Sequence, residues 1–246
     1  MGAALLIVPL AGLIVRAPWS QALQELRAPE SLDALRLSLV CSVSATAIGL
    51  ALGIPLAWVQ ARLSFPGQNV LRALTTLPMV LPPVVGGVAL LLAFGRRGLL
   101  GSYLFDVFGI RLPFSTAGVI MAETFVSMPF LVITVEAGLR SMNLKLEEAA
   151  RTLGARPWTV FWRVTLPLIM PSIFAGAVLC WSRALGEFGA TITFAGNFPG
   201  QTQTMPLAVY LLLETRPDGA VILSLVLVFV SLAVLIGLRD RYLSLS

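Results

Sequence analysis

Residues 140–167 read RSMNLKLEEAARTLGARPWTVFWRVTLP and join two strongly apolar segments. Asn143 suits the position that caps a helix, and acidic residues follow it within the first turn. The first helix is predicted to run to about Leu153, because Gly154 can adopt the left-handed conformation that ends a helix. Pro157 suits the first turn of a second helix. The stretch therefore predicts two short helices joined by a turn.

The second of these helices carries an aromatic face. Trp158, Phe161, Trp162 and Thr165 recur at helical spacing, while Arg163 lies on the other side. Aromatic rings favour the boundary between lipid headgroups and acyl chains. We therefore expect a rigid helix–turn–helix under the bilayer, shaped to contact a cytoplasmic partner. The alternative is an ordinary amphipathic loop at the membrane surface.

The composition of the whole chain agrees with a membrane setting. Of 246 residues, 57% are hydrophobic and 12% are charged, and the mean hydropathy is +0.90. Soluble domains carry about 25% charged residues, which cover their surface. A soluble globular domain, a disordered chain and a nucleic-acid-binding protein are therefore excluded as leading interpretations. The net charge of +5 is explained by basic loops beside the membrane.

Six apolar segments are predicted to cross the membrane as helices, since they are long, continuous and without the alternation of barrel strands. Their approximate bounds are 2–15, 35–61, 77–94, 116–139, 168–190 and 220–238. Residues 1–246 are then one all-α membrane domain, without internal repeats. The segment 2–15 would rise only about 21 Å as a helix. A signal peptide is the alternative there, but Val15-Arg16-Ala17 is a poor cleavage site, so we expect a retained helix.

Six spans put both termini on one side of the membrane. That side would hold loops 62–76 and 140–167 and a tail with Arg239 and Arg241, with nine basic residues against seven on the other side. The positive-inside rule then favours cytoplasmic termini by a narrow margin, and the five basic residues of loop 140–167 are the better indication. We expect a multi-pass protein of the cell membrane in contact with lipid.

The loop resembles the EAA motif of ABC-importer permeases. The family pattern is Glu-Ala-Ala, three residues, Gly, nine residues and Ile-x-Leu-Pro; here Glu148-Ala149-Ala150 precedes Gly154 and Val164-Thr165-Leu166-Pro167, with Val in place of Ile. The resemblance implies a type I ABC-importer permease with a coupling helix that seats in a cleft of the ATPase subunit. The residues implied for this contact are Glu147, Glu148, Ala149, Ala150, Gly154, Ala155, Arg156 and Pro157.

Hydrolysis of ATP is expected to belong to a separate chain. The sequence contains no phosphate-binding loop, and its one lysine, Lys145, does not follow a glycine. There is no His for a metal site or for imidazole catalysis, and Cys41 and Cys180 lie in apolar runs. We therefore expect a transport subunit that is not an enzyme, with no cofactor and no metal.

A second stretch is similar to molybdate/tungstate permeases. Residues 183–210 read RALGEFGATITFAGNFPGQTQTMPLAVY, and the runs 77–87 and 95–101 also resemble these proteins. Sulfate/thiosulfate permeases share Gly-Glu-Phe-Gly, and the later Thr-Gln-Thr favours molybdate over sulfate. The resemblance spans roughly residues 35–240. It implies a homodimer with the path at its interface, two ATPase subunits and an extracytoplasmic molybdate/tungstate-binding protein.

Physical chemistry gives weaker support for a path here. No residue from Phe188 to Leu213 is charged, and neutral hydroxyls and amides can pass an oxyanion along without holding it tightly. An ordinary polar external loop is the alternative. Arg183 and Glu187 either form an ion pair or line the path. Separately, the prolines early in the third apolar segment predict a kink in that span. The path candidates are Pro82, Pro83, Arg183, Glu187, Thr191 and Thr193.

Two further carboxylates lie inside the fourth apolar segment. Glu136 is near its cytoplasmic end and is expected to reach water or a loop arginine, whereas Glu123 lies deeper without an evident partner. Three other functions stay open at this point. They are a sulfate/thiosulfate permease of the same architecture, an ion-coupled secondary transporter that needs no ATPase, and an integral-membrane enzyme, which the lack of His disfavours.

Overall fold

A computed structural model describes residues 2–243, and this part of the chain is helical without a β-strand. The side chains of Arg239 and Arg241, assigned above to a basic tail, lie outside the described part. The predicted all-α membrane architecture is confirmed. The helices are α1 (Gly2–Arg16), α2 (Ala22–Arg27), α3 (Pro29–Arg62), α4 (Gln68–Val80), α5 (Pro83–Phe94), α6 (Gly101–Phe108), α7 (Thr116–Ser141), α8 (Lys145–Thr152), α9 (Pro157–Val160), a π-helical segment (Phe161–Thr165), α10 (Leu166–Leu185), α11 (Gly189–Phe194), α12 (Met205–Thr215) and α13 (Pro217–Leu243).

Four helical runs in the described residues are long and apolar enough to cross a bilayer. They are α3, α7, the run from α9 through α10, and residues Pro217–Val234 of α13. The helices α4 and α5 together qualify as one broken span. α1 and α12 are apolar but shorter, with 15 and 11 residues. The first predicted segment is therefore helical, and its length is below that of a straight span.

The helix α7 forms the centre of the molecule and packs most extensively against α3 and α10. A Cβ on Gly53 of α3 would lie 2.8 Å from the Leu131 side chain of α7, and one on Gly176 of α10 would lie 3.2 Å from the Leu131 backbone. Further along, Cys180 Sγ donates to Ser127 Oγ at 3.3 Å, so α10 runs antiparallel to α7. Small residues thus let three helices approach closely, as packing in lipid requires.

The third predicted span is broken rather than kinked. Its helix begins at Gln68 instead of Leu77, and the axes of α4 and α5 differ by 119°. Pro82 and Pro83 lack backbone N–H groups, and a residue before proline is pushed out of the helical region. Leu81 accordingly has φ −65° and ψ 136°. Two consecutive prolines therefore end one helix and start the next.

The broken pair follows α7 from one end to the other. Arg72 of α4 bonds Glu136 near the C-terminal end of α7, and Leu90 of α5 packs in a cluster with Ala122 near the N-terminal end. Between them, a Cβ on Gly86 would lie 3.1 Å from Phe125. Contacts that advance steadily along α7 favour a broken span over a loop that returns to the side from which it came.

The fifth predicted span, 168–190, also needs correction. Its helix α10 begins at Leu166 and ends at Leu185, and α11 follows after a break at residues 186–188. Glu187 lies in this break, where its Oε1 accepts the Ala190 N–H at 2.8 Å and so caps α11. Beyond α11 the chain folds inward, and Thr202, Gln203 and Thr204 are buried. Residues 188–213 are therefore not one loop: they contain α11, α12 and a partly buried connection between them.

The two breaks lie against each other. A Cβ on Gly189, at the start of α11, would lie 2.8 Å from Pro83 Cβ, at the start of α5. One turn along, a Cβ on Gly87 would lie 2.6 Å from Thr193 Cβ and 2.9 Å from the Ala190 carbonyl oxygen. The helices α5 and α11 thus pack backbone to backbone, and only glycine fits at their closest approach.

We expect Gly87→Val to lower the stability of the protein, because an added side chain must displace the α11 backbone. Overpacking of this kind costs about 1–3 kcal/mol. Thermal unfolding of the detergent-purified protein measures this as a lower Tm. The matched control is Gly12→Val in α1, where a Cβ would meet nothing within 4 Å. An equal Tm for both variants would contradict the close α5–α11 contact.

Candidate ATPase-coupling surface and substrate path

The loop after α7 folds into the predicted helix–turn–helix. Asn143 Oδ1 accepts the Lys145 N–H at 3.1 Å at the start of α8. Gly154 ends the turn after α8 with φ +84°, a conformation that costs a glycine little. Pro157 is the first residue of α9. The predictions for Gly154 and Pro157 are confirmed, whereas the cap position itself is Leu144 and Asn143, one residue earlier, bonds the first N–H of α8.

Glu147 anchors α8 to the membrane-spanning helices. Its Oε1 accepts from Arg62 Nη2, at the end of α3, at 2.8 Å and from Thr165 Oγ1, just before α10, at 2.7 Å. Only 12% of the Glu147 side chain is exposed. Arg151 approaches the other oxygen at 3.9 Å but is mostly exposed. The Glu147 carboxylate therefore links α8 to the end of α3 and to the residue that precedes α10.

The outer face of this motif is open to solvent. We name it the coupling surface and define it by the exposed residues Glu148, Ala149, Leu153, Gly154, Arg156 and Pro157. Ala150 and Ala155 are half-buried beneath it. Leu153 is 88% exposed. Because it lies outside the spanning helices, contact with lipid tails does not explain this exposure. An exposed apolar side chain on a loop of fixed shape suits contact with a protein partner.

The predicted aromatic face forms a compact cluster. The ring centroids of Trp158 and Trp162 lie 5.6 Å apart, and Phe161 lies 6.0 Å from Trp158 and 5.6 Å from Trp162. Thr165, predicted on the same face, is buried and bonds Glu147 instead. The reason is the π-helical segment Phe161–Thr165, whose wider turn changes the helical register. Nothing in the sequence pattern predicted this segment.

A second polar cluster joins the ends of α3, α4 and α7. Glu136 Oε1 accepts from Arg72 Nε at 3.0 Å and from Arg140 Nε at 2.9 Å, which confirms the expected partnership with loop arginines. Both arginines also donate to the Gln60 carbonyl oxygen, at 2.7 and 3.2 Å. The buried Gln60 side chain donates to Thr75 Oγ1 at 2.6 Å. The sequence analysis missed Gln60. The one feature that could have identified it is that it is a polar side chain near the end of the apolar segment 35–61.

The predicted path residues gather around the two helix breaks. Arg183 Nη1 lies 2.6 Å from Glu187 Oε2, and the side chains are 29% and 1% exposed. Pro82 and Pro83 are exposed, Thr193 is half-buried, and Thr191 is buried within the protein. The ion pair is therefore present, while the lining of a path stays a prediction. Glu123 is buried, and its Oε2 has no hydrogen-bond partner among the described residues.

Comparison with known proteins agrees with this geometry. Residues 49–244 match the family described as binding-protein-dependent transport system inner membrane component. The chain is 48% identical over 240 residues to the molybdenum transport system permease protein ModB of Mycobacterium tuberculosis, which covers 98% of this chain and 90% of the relative. It is 44% identical over 212 residues to ModB of Escherichia coli K12, and this match covers 86% of this chain and 93% of the relative.

A relative named for sulfate transport and a solved ABC transporter are also similar to this chain. A probable sulfate transport system permease protein cysT of Zygnema circumcarinatum is 35% identical over 246 residues, covering 98% of this chain and 85% of the relative. The solved structure of a bacterial ABC transporter involved in the import of alginate contains a chain that matches this one with a TM-score of 0.79 and 20% sequence identity. The match covers 98% of this chain and 90% of that chain. The chain has the fold of ABC-importer permeases and belongs to the family of binding-protein-dependent transport system inner membrane components.

Proposed function

We propose that this chain is the permease subunit of an ATP-driven importer of molybdate or tungstate. The observation that carries the proposal is 48% identity to a permease named for molybdenum transport, along nearly the whole of both chains. The relative named for sulfate transport reaches 35% over a similar length. A sulfate or thiosulfate permease is therefore the second candidate, and the architecture is the same for both.

Docking of an ATPase at the coupling surface would move the spanning helices. Two ATPase subunits would each contact one copy of the permease in a homodimer. Closure of the ATPases would bring the two α8 helices together, and the Glu147 contacts with Arg62 and Thr165 would carry this motion to α3 and α10. The path at the dimer interface would then open to the outside, and hydrolysis would reset it. This is alternating access, and no bond in the substrate is broken.

The proposed orientation places α8 and both termini on the cytoplasmic side of the cell membrane. Five basic residues of loop 140–167 favour the cytoplasmic side. Ala17, just after α1, packs in a cluster with Ile222 and Leu225 of α13. Since α1 approaches that cluster and α13 departs from it, the start of α1 and the end of α13 would lie on the side of α8. An extracytoplasmic binding protein would deliver substrate to the opposite end.

The chemistry of residues 188–213 suits an anion that must be released. The stretch has no charged residue. The buried Thr191 Oγ1, Gln203 Nε2 and Thr204 Oγ1 have no hydrogen-bond partner among the described residues, so a path that opened beside them would meet unused hydroxyl and amide groups. Neutral donors give shallow binding sites, and shallow sites allow fast release. Pro82, Pro83, Arg183, Glu187, Thr191 and Thr193 are proposed to shape this path.

Reconstitution tests the proposed function directly. The permease, its ATPase and its binding protein in liposomes should take up molybdate and tungstate only when ATP is supplied, and sulfate poorly. The permease alone should bind these anions weakly. Uptake that prefers sulfate would support the second candidate, and uptake that continues without the ATPase would contradict the importer mechanism.

Glu147 and Glu148 are expected to differ in their effects although they are neighbours. Glu147→Gln weakens charge-assisted hydrogen bonds to Arg62 and Thr165, at a cost of about 2 kcal/mol. It should lower the Tm of the purified permease and reduce transport. Glu148 is exposed and has no partner among the described residues, so Glu148→Gln should leave the Tm unchanged and lower only the affinity for the ATPase. Equal Tm values for both variants would contradict the anchoring role of Glu147.

Gly154→Val should uncouple the ATPase from transport while the protein still inserts. A Cβ at Gly154 would meet nothing within 4 Å, so the change acts through the positive φ of +84°. A left-handed conformation costs a bulky residue about 1–2 kcal/mol. Gly154→Asn is the matched control, because asparagine tolerates this conformation. Uptake and substrate-stimulated ATP hydrolysis measured together should fall for Val and stay near normal for Asn; normal coupling in the Val variant would contradict the role of the turn.

A further inference from the structure

The segment around α6 lies where two membrane spans end. The broken span formed by α4 and α5 ends at Phe94. The spanning helix α7 starts at Thr116, where Ser115 Oγ accepts the Gly118 N–H at 3.1 Å and caps it. Residues 95–115, including α6, connect these two points at the end of the molecule opposite α8. The segment therefore lies at a boundary between membrane and water.

Two arginines of this segment share one aromatic ring. Arg96 Cζ lies 4.4 Å from the centroid of the Phe105 ring, and Arg111 Cζ lies 4.9 Å from it. Because both groups contact the same ring, the distance between the two guanidinium carbons cannot exceed the sum of these two distances. None of the ion pairs found among the described residues involves Arg96, Arg111 or the adjacent Arg97. Two like charges within that distance repel each other, and an anion that contacts both would lessen the repulsion.

The surroundings of the two arginines are apolar and exposed. Leu99, Leu100, Tyr103, Val107 and Phe108 all present exposed side chains, and Leu99 is 88% exposed. Beside them lies a cavity of about 250 Å³, lined by both arginines together with apolar residues that include Phe94, Ile110 and Phe114. Basic residues next to exposed apolar side chains are typical of a helix that lies in the lipid interface. A surface meant for water or for an acidic protein would not expose so many large apolar groups.

We propose that Arg96 and Arg111 bind the phosphate of an anionic phospholipid in the leaflet opposite α8, with the acyl chains against the exposed side chains of α6. Guanidinium groups match phosphate oxygens in pairs and donate charge-assisted hydrogen bonds to them. Phe105 holds both groups in place through its ring face. A net negative headgroup such as phosphatidylglycerol is favoured over zwitterionic phosphatidylcholine, because the site carries an excess of positive charge.

Lipid retention by the purified full chain tests this proposal. The protein in detergent is mixed with phosphatidylglycerol or with phosphatidylcholine, and native mass spectrometry measures the lipid that stays bound. We expect wild-type protein to retain phosphatidylglycerol in preference to phosphatidylcholine. The double variant Arg96→Gln, Arg111→Gln should retain about tenfold less phosphatidylglycerol, which corresponds to the loss of one strong charge-assisted contact.

The matched control is the double variant Arg27→Gln, Arg36→Gln. It removes the same charge from exposed positions elsewhere in the chain, and it should retain phosphatidylglycerol like the wild type. Equal losses in both double variants would mean that only net charge matters and would overturn the site. Undiminished retention in the Arg96, Arg111 variant would also overturn it.

Two further measurements separate the lipid from other sources of the same charge. Inorganic phosphate or molybdate at millimolar concentration should not displace the bound phosphatidylglycerol; displacement would mean that the arginines bind a free oxyanion, and the lipid proposal would be wrong. The melting curve in detergent shows whether the double variant is folded. If it is not, the single variants Arg96→Gln and Arg111→Gln replace it, and each must lower the retention of phosphatidylglycerol for the proposal to stand.

Discussion

The close approach of α3, α7 and α10 at Leu131 is the contact on which the rest of the structure depends. Apolar side chains gain nothing by leaving lipid for one another, so helices in a membrane associate through tight packing and polar contacts. Leu131 lies against Gly53 on one side and Gly176 on the other. These glycines bring three backbones together, and the polar clusters of Glu136 and Glu147 then join the ends of the same helices. Close packing in the middle of α3, α7 and α10 and hydrogen bonds at one end thus hold these helices in place.

The protein breaks its helices at two places that touch. Backbone groups freed by a break need partners within the membrane, so irregular backbone is tolerated only where protein or a polar cavity surrounds it. Glu187 meets part of this need, since it accepts the Ala190 N–H and pairs with Arg183. At the other break, proline has no N–H to satisfy. Pro83 and Gly189 bring the two breaks into contact, so two interruptions of regular helix lie side by side in the described part of the bundle.

The sequence predicted those features that depend on local chemistry. Long apolar runs predicted the spanning helices, and Asn143, Gly154 and Pro157 predicted the turn of the coupling motif, because caps and turns are decided by a few neighbouring residues. The break at Leu81 and the helix end at Leu185 were misjudged, since a proline or glycine in an apolar run permits several outcomes and tertiary contacts select one. Gln60 and the π-helical segment were missed for the same reason: each depends on partners far away in the sequence.

The coupling motif also shows how one helix can serve two needs with adjacent residues. Neighbouring positions on an α-helix point in directions about 100° apart, so Glu147 and Glu148 cannot face the same way. Glu147 turns inward, where a carboxylate with Arg62 and Thr165 holds the helix against the spans. Glu148 turns outward, together with Ala149, and leaves a small apolar and acidic face free for a partner. If both carboxylates faced the partner, α8 would bind it without a firm link to α3 and α10. If both faced inward, the link would exist without a charged contact outside. The proposed transmission of force from an ATPase to the bundle would need one of each, and the two glutamates before Ala149 and Ala150 would supply it.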